Sequence, residues 1–168
     1  MAEDRDPKSG QKRVLFVCMG NICRSPTGEG VLRKLVSEAG LEPSIDVESA
    51  GTIGYHVGEL PDPRMREAAR QRGYSLDSRA RQFGREDFES FDLIVAMDRH
   101  NLADIHALDV DGAHRDQVRL LSDFLPENDE WPTDVPDPYY GGPAGFEKVL
   151  DMIEAAGEGI LSELRGEG

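Results

Sequence analysis

Three observations predict an α/β fold: one domain built as a three-layer sandwich, with a central four-stranded parallel sheet flanked by helices and a functional loop after the first strand. Short apolar runs alternate with helix-like stretches along the chain, the rhythm of βαβ units. The first apolar run ends in a cysteine whose following loop opens a helix. A chain of 168 residues with 38% hydrophobic content can bury one core, and no internal repeat or linker divides it.

The elements can be justified in order. Residues 1–10 are charged and turn-rich, unlike a signal peptide, so residues 1–11 are expected as a disordered tail ahead of a folded domain over 12–168. Strand-like runs fall at 13–18, 45–50, 91–97 and 118–121. A first helix is expected from Pro26 to about Ala39, with Val31, Leu32, Leu35 and Val36 on its apolar face and Gly40 as its stop. Asp62-Pro63 and Gly73 bracket a second, and Asp98 is placed to cap a third. Phe146, Val149, Leu150, Ile153, Ile160, Leu161 and Leu164 recur at helical spacing in the last. In an open sheet of this kind ligands bind beyond the carboxyl ends of the strands, where Cys18, Ser49 and Asp98 fall.

The loop after the first strand carries the chemistry. Five residues, Met19, Gly20, Asn21, Ile22 and Cys23, separate Cys18 from Arg24. That is enough for amides to turn inward around one tetrahedral oxyanion, and Gly20 and Asn21 tolerate left-handed backbone. A thiol attacks as its thiolate, which a helix N-terminus and a guanidinium favour. Arg24 offers a planar fork that grips two phosphate oxygens at once. Ser25 is read as the N-cap with Pro26 at the first helical position, its hydroxyl within reach of the Cys18 sulfur. Cys18 taken alone reads equally as a buried cysteine ending a strand; the arginine at this spacing and the strand-loop-helix context favour the cradle.

Residues 125–143 form the one irregular region, with five prolines, Trp131, Tyr139, Tyr140 and several acids. Cleavage of a phosphate ester needs a proton for the departing oxygen, which a carboxylic acid on such a loop can deliver. Asp137 is the candidate, with Asp123, Asp129 and Asp134 as alternatives on the residues alone, since Asp-Pro is also a common turn opener.

The run Val17-Cys-Met-Gly-Asn-Ile-Cys-Arg-Ser-Pro26 resembles the signature of the low-molecular-weight protein tyrosine phosphatases. Glu48-Ser-Ala-Gly-Thr52, Asp62-Pro-Arg64, Met97-Asp98 and Asp137-Pro-Tyr-Tyr-Gly141 resemble further family segments, in family order, over about residues 12 to 165. The resemblance implies Cys18 as nucleophile, Arg24 as phosphate ligand, Asp137 as general acid, and Met19 to Ser25 as the phosphate-binding loop. It also implies Ser49 and Asp98 as supports that hydrogen-bond to Asn21, with Ser78 where the family usually has a histidine. Tyr55 and Tyr139 would form an aromatic slot for a phenyl ring; without the resemblance both read as packing residues. Asp98 could equally be a helix cap alone. Cys23 is expected close enough to Cys18 for a reversible disulfide that shields the nucleophile, or else as a small residue filling space.

Other classes are set against this reading. A net charge of −14, from 33 acids and 19 bases, argues against nucleic acid or an anionic membrane as partner. So acidic a surface also occurs in salt-adapted proteins. Two cysteines, one needing to stay reduced, suggest the cytoplasm. His56, His100, His106 and His114 lack metal-ligand spacing and read as surface or helix residues, so no metal or other cofactor is expected. An arsenate reductase would need a downstream cysteine relay, and no cysteine follows Cys23. A protein arginine phosphatase, which typically has threonine where this loop has the bulkier, apolar Ile22, stays as the alternative enzymatic reading. A non-catalytic phosphate-binding regulator would not need Cys18, Arg24 and Asp137 together. The expected partners are phosphotyrosine proteins or peptides, with inorganic phosphate as product.

Overall fold

The computed structural model describes residues 11–127, 131–138 and 142–166. Residues 1–10 of the expected tail and Tyr139 of the expected slot lie outside them. Four strands, β1 (Lys12–Cys18), β2 (Ile45–Gly51), β3 (Leu93–Ala96) and β4 (Val118–Leu120), form one parallel sheet in the order β2-β1-β3-β4. Among the described residues five α-helices accompany them: α1 (Arg24–Glu38), α2 (Pro63–Arg70), α3 (Asp87–Ser90), α4 (Arg99–Leu108) and α5 (Pro143–Leu164).

β1 is central and buried on both faces, so its side chains sort by the two-residue period into two cores. Val14, Phe16 and Cys18 face a core closed by Val31 and Leu32 of α1, Met65 of α2 and Val149, Leu150 and Ile153 of α5. Leu15 and Val17 face a second core with Phe88 of α3, Ile94 of β3 and Ile105 of α4. Helices on both faces of the sheet make the three layers. Gly28 lets α1 approach closely, because a Cβ there would stand 2.7 Å from the Phe16 ring.

Two differences from the expected elements bear on the site. α1 begins at Arg24, with Cys23 in the N-cap position and no side-chain cap bond, rather than at Pro26 behind a Ser25 cap. The Ser25 hydroxyl is engaged instead with the Cys18 sulfur and the Asn21 side chain. α3 is a single turn that no periodic pattern announced. Asp62 and Asp98 do cap α2 and α4, accepting from the Arg64 and Asn101 amides. Gly40, at φ 72°, ends α1.

Candidate active site

Parallel strands deliver their carboxyl ends to one edge, and the register sets Cys18 opposite Gly51 there. The ladder continues past the strands, with the Thr52 amide donating to the Cys18 carbonyl at 2.9 Å and the Ile53 amide to that of Met19 at 3.1 Å. The segment after β2 is therefore hung on the loop after β1. Gly51 permits the approach, since a Cβ there would lie 2.7 Å from the Met19 carbonyl oxygen.

Asn21 turns the loop with the left-handed backbone expected of it, φ 61°. Its side chain, 2% exposed with the rest of the residue, is fully used: Nδ2 donates to Ser25 Oγ at 2.8 Å and Ser49 Oγ at 3.0 Å, and Oδ1 accepts from the Arg81 amide at 2.9 Å. Ser49 Oγ donates at 2.6 Å to Glu29, a buried carboxylate that also accepts from Ser78 Oγ at 3.0 Å and pairs with Arg33. Ser78 thus joins the network through Glu29, and the Arg81 amide meets Asn21. Glu29 was missed in the sequence, though its signal was there. Ser25, Glu29, Leu32 and Val36 share one helical stripe, and an acid on a stripe this apolar demands a buried partner.

This network holds the loop so that donors converge on sulfur. The Cys18 Sγ lies 3.0 Å from Ser25 Oγ and accepts from the Asn21 amide at 3.3 Å and the Ser25 amide at 3.4 Å, at the positive end of α1. Negative charge on that sulfur is met from three directions. Cys23 is different: burial pushes its thiol up, and Asp62 and the Cys18 sulfur add to this. Both cysteines are free thiols in the structure.

Arg24 is 3% exposed and anchored on one nitrogen, whose donors reach Asp98 Oδ2 at 2.6 Å and the Val135 carbonyl at 3.0 Å. Its other terminal nitrogen stands 3.8 Å from Asp137 Oδ2. Burial opposes its charge, but the Cys18 sulfur and the hydrogen bond and charge of Asp98 hold its pKa above the ordinary arginine value. Asp98 therefore supports the loop by a route other than the expected bond to Asn21: one oxygen caps α4 and the other fixes Arg24.

Cys18, Met19, Gly20, Ile22, Cys23 and Arg24 line a cavity of about 410 Å³, with Tyr55 and Asp137 on its walls. Asn21, Ser25, Ser49 and Asp98 stand behind it. Ile53 and His56 also line it and were not expected there. The His56 Nδ1 lies 2.9 Å from Glu59 Oε1, and its ring meets that of Tyr55 edge-on with centroids 4.9 Å apart, so it belongs to the cavity wall rather than the outer surface. Tyr55 is 81% exposed, a rim residue.

A thiol and a guanidinium thus share one loop at a helix start, with a carboxylate over them. The family model described as low molecular weight phosphotyrosine protein phosphatase matches residues 13–168. The chain belongs to this family of hydrolases. It is 46% identical over 153 residues to the low molecular weight protein-tyrosine-phosphatase of Streptomyces coelicolor, covering 91% of this chain and 93% of that one. Among solved structures, a protein tyrosine phosphatase from Entamoeba histolytica with Hepes in its active site superposes with a TM-score of 0.86, at 38% identity over 93% of this chain and 98% of that one. A Drosophila arginine phosphatase superposes with a TM-score of 0.81, at 31% identity over 89% and 96%. Among the described residues no helix is long and apolar enough to cross a membrane.

Proposed function

We propose that this family member hydrolyses the aryl phosphate monoester of phosphotyrosine in proteins or peptides through a cysteinyl-phosphate. The observation that carries this is a single cavity bounded by Cys18, Arg24 and Asp137. The Cys18 thiolate attacks phosphorus in line and an S–P bond forms as the P–O ester bond breaks; Asp137 gives its proton to the departing phenolic oxygen. Arg24 and the amides from Met19 to Ser25 bind the three non-bridging oxygens as charge redistributes over them. A water then attacks phosphorus, Asp137 takes its proton, and the S–P bond breaks to release inorganic phosphate. The Ser25 hydroxyl, 3.0 Å from sulfur, stabilises the departing thiolate. Tyr55 flanks the phenyl ring, and Asn21, Ser49 and Asp98 hold the loop.

The route draws on no metal or cofactor. Its need for a reduced Cys18 favours a reducing compartment such as the cytoplasm, and the acidic surface disfavours nucleic acid and anionic membrane as partners. Phosphoarginine is the second reading, favoured by the likeness to the Drosophila arginine phosphatase. Peptides carrying phosphotyrosine, phosphoserine or phosphoarginine, offered to the wild type and to Cys18→Ser under reducing, metal-free conditions, separate the readings. Phosphotyrosine turnover lost in the variant is the expected result. Preference for phosphoarginine would move the substrate class, and phosphate binding without turnover would make the chain a regulator.

A further inference from the structure

The loop that brings Asp137 over the cavity is fastened to the body of the protein three residues earlier. Asp134 Oδ1 accepts from the Arg99 amide at 2.9 Å and from its Nε at 3.2 Å, while Oδ2 accepts from its Nη2 at 3.1 Å. One carboxylate thereby takes both the guanidinium fork and the first amide of α4, at the end of the helix that favours negative charge. Val135 extends the attachment: its amide donates to the Met97 carbonyl at 2.9 Å, its carbonyl accepts from Arg24, and its side chain is buried. From there to Asp137 runs only Pro136, and Pro138 follows, so the backbone between the anchor and the acid has little freedom.

We propose that Asp134, clamped by Arg99 at the start of α4, is the positioning residue for Asp137, setting where the acid stands relative to the departing oxygen. This rests on the reading of Asp137 as proton donor. Asp137 is itself exposed, and its ion pair with Arg24, at 3.8 Å, is longer than a hydrogen bond. Proton transfer tolerates little displacement, and an acid held by a stiff arm from an ion-paired base keeps its place without being buried. Arg99 and Asp134 do not touch the reacting atoms and act only through the loop.

The test is the dependence of kcat/KM on the leaving group, measured with aryl phosphates from dinitrophenyl to unsubstituted phenyl phosphate. In Asp134→Ala the value for phenyl phosphate falls about tenfold or more. That for dinitrophenyl phosphate, whose phenolate departs without a proton, falls by less than about twofold. Arg99→Gln, which keeps the Asp134 charge, gives the same tilt more weakly, and it carries the test if Asp134→Ala does not fold. Placed in Asp137→Ala, the Asp134→Ala change brings no further loss, because both act through one group. An equal loss at every leaving group, or a loss that persists in Asp137→Ala, would overturn the proposal and leave the clamp a structural feature. Wild-type leaving-group dependence in Asp137→Ala alone would overturn instead the assignment on which it rests.

Discussion

Cys18 and Asp137 face one cavity, yet they are held by opposite means. Cys18 sits in a loop braced from behind by buried polar groups, Asn21, Ser49 and Glu29, each with its partners in place. Asp137 rides on a strap pinned by the buried Val135 and by a surface ion pair in which Arg99 is 70% exposed. Buried, satisfied networks are rigid and specify one geometry, whereas exposed pairs contribute little and are screened by salt. The difference suits the two tasks. In the proposed mechanism, amides and a guanidinium must be in place before phosphate arrives, while an acid that first donates and then accepts a proton needs contact with water.

The sharpest way to break the comparison is to remove the groups themselves. Cys18→Ser should abolish turnover, by about 10⁴-fold or more, with phosphate still bound when tested by isothermal calorimetry. Residual phosphocysteine chemistry in that variant would be incompatible with the mechanism. Asp137→Asn should slow phosphotyrosine hydrolysis by about 10²–10⁴-fold while leaving inhibition by phosphate near its original strength. If instead the phosphate affinity collapsed, the strap would be part of the cradle and the contrast would fail.

Smaller effects sharpen it. Glu29→Ala removes the acceptor shared by Ser49 and Ser78, and should cost about 2 kcal/mol of stability as well as catalysis. A urea midpoint lowered at constant slope is the measure. Stability untouched would mean that the network behind the cradle is not a brace. The acid limb of the stability curve should show the smallest effect. The Arg64 hydrogen bond holds the Asp62 carboxyl below its ordinary value, as Arg99 does for Asp134. Each stabilises the fold above its unfolded pKa, and that contribution is lost as pH falls through the lowered folded value, so below about pH 4. Asp62→Asn should shallow this limb more than Asp134→Asn, because Asp62 is buried and Asp134 is partly exposed. The reverse order would mean that the strap, not the α2 cap, dominates acid stability.

The fold was legible where local pattern and burial agree. The apolar run of β1, buried on both faces, and the helical spacing from Phe146 to Leu164 needed no tertiary information. Cys18 and Arg24 were legible because their spacing encloses one loop. The expectation of Ser25 as cap failed for a physical reason: its hydroxyl had two better partners, the Cys18 sulfur and the Asn21 amide group, contributed by the turned loop. The α1 apolar face was read from Val31 onward, so Glu29 went unnoticed. Asp98 could not be seen to reach Arg24, nor Arg99 to reach Asp134, because those pairs are separated by 74 and 35 residues. Asp134 appeared only as one of three rivals to Asp137, with Asp123 and Asp129, the last of which lies outside the described residues; Asp134 is committed to Arg99, whereas Asp137 lines the cavity.

The backbone ladder that continues from β1 and β2 into Thr52 and Ile53 has a consequence for diversification. Those bonds are made by main-chain atoms, so the side chains carried on the adjoining rim, Ile53, Tyr55 and His56, can be exchanged without undoing the attachment. The protein is in effect a fixed reaction vessel with an interchangeable collar. If the proposed function holds, new preferences for the residues beside a phosphorylated side chain would come from altering the collar, with the main-chain attachment beneath it left intact.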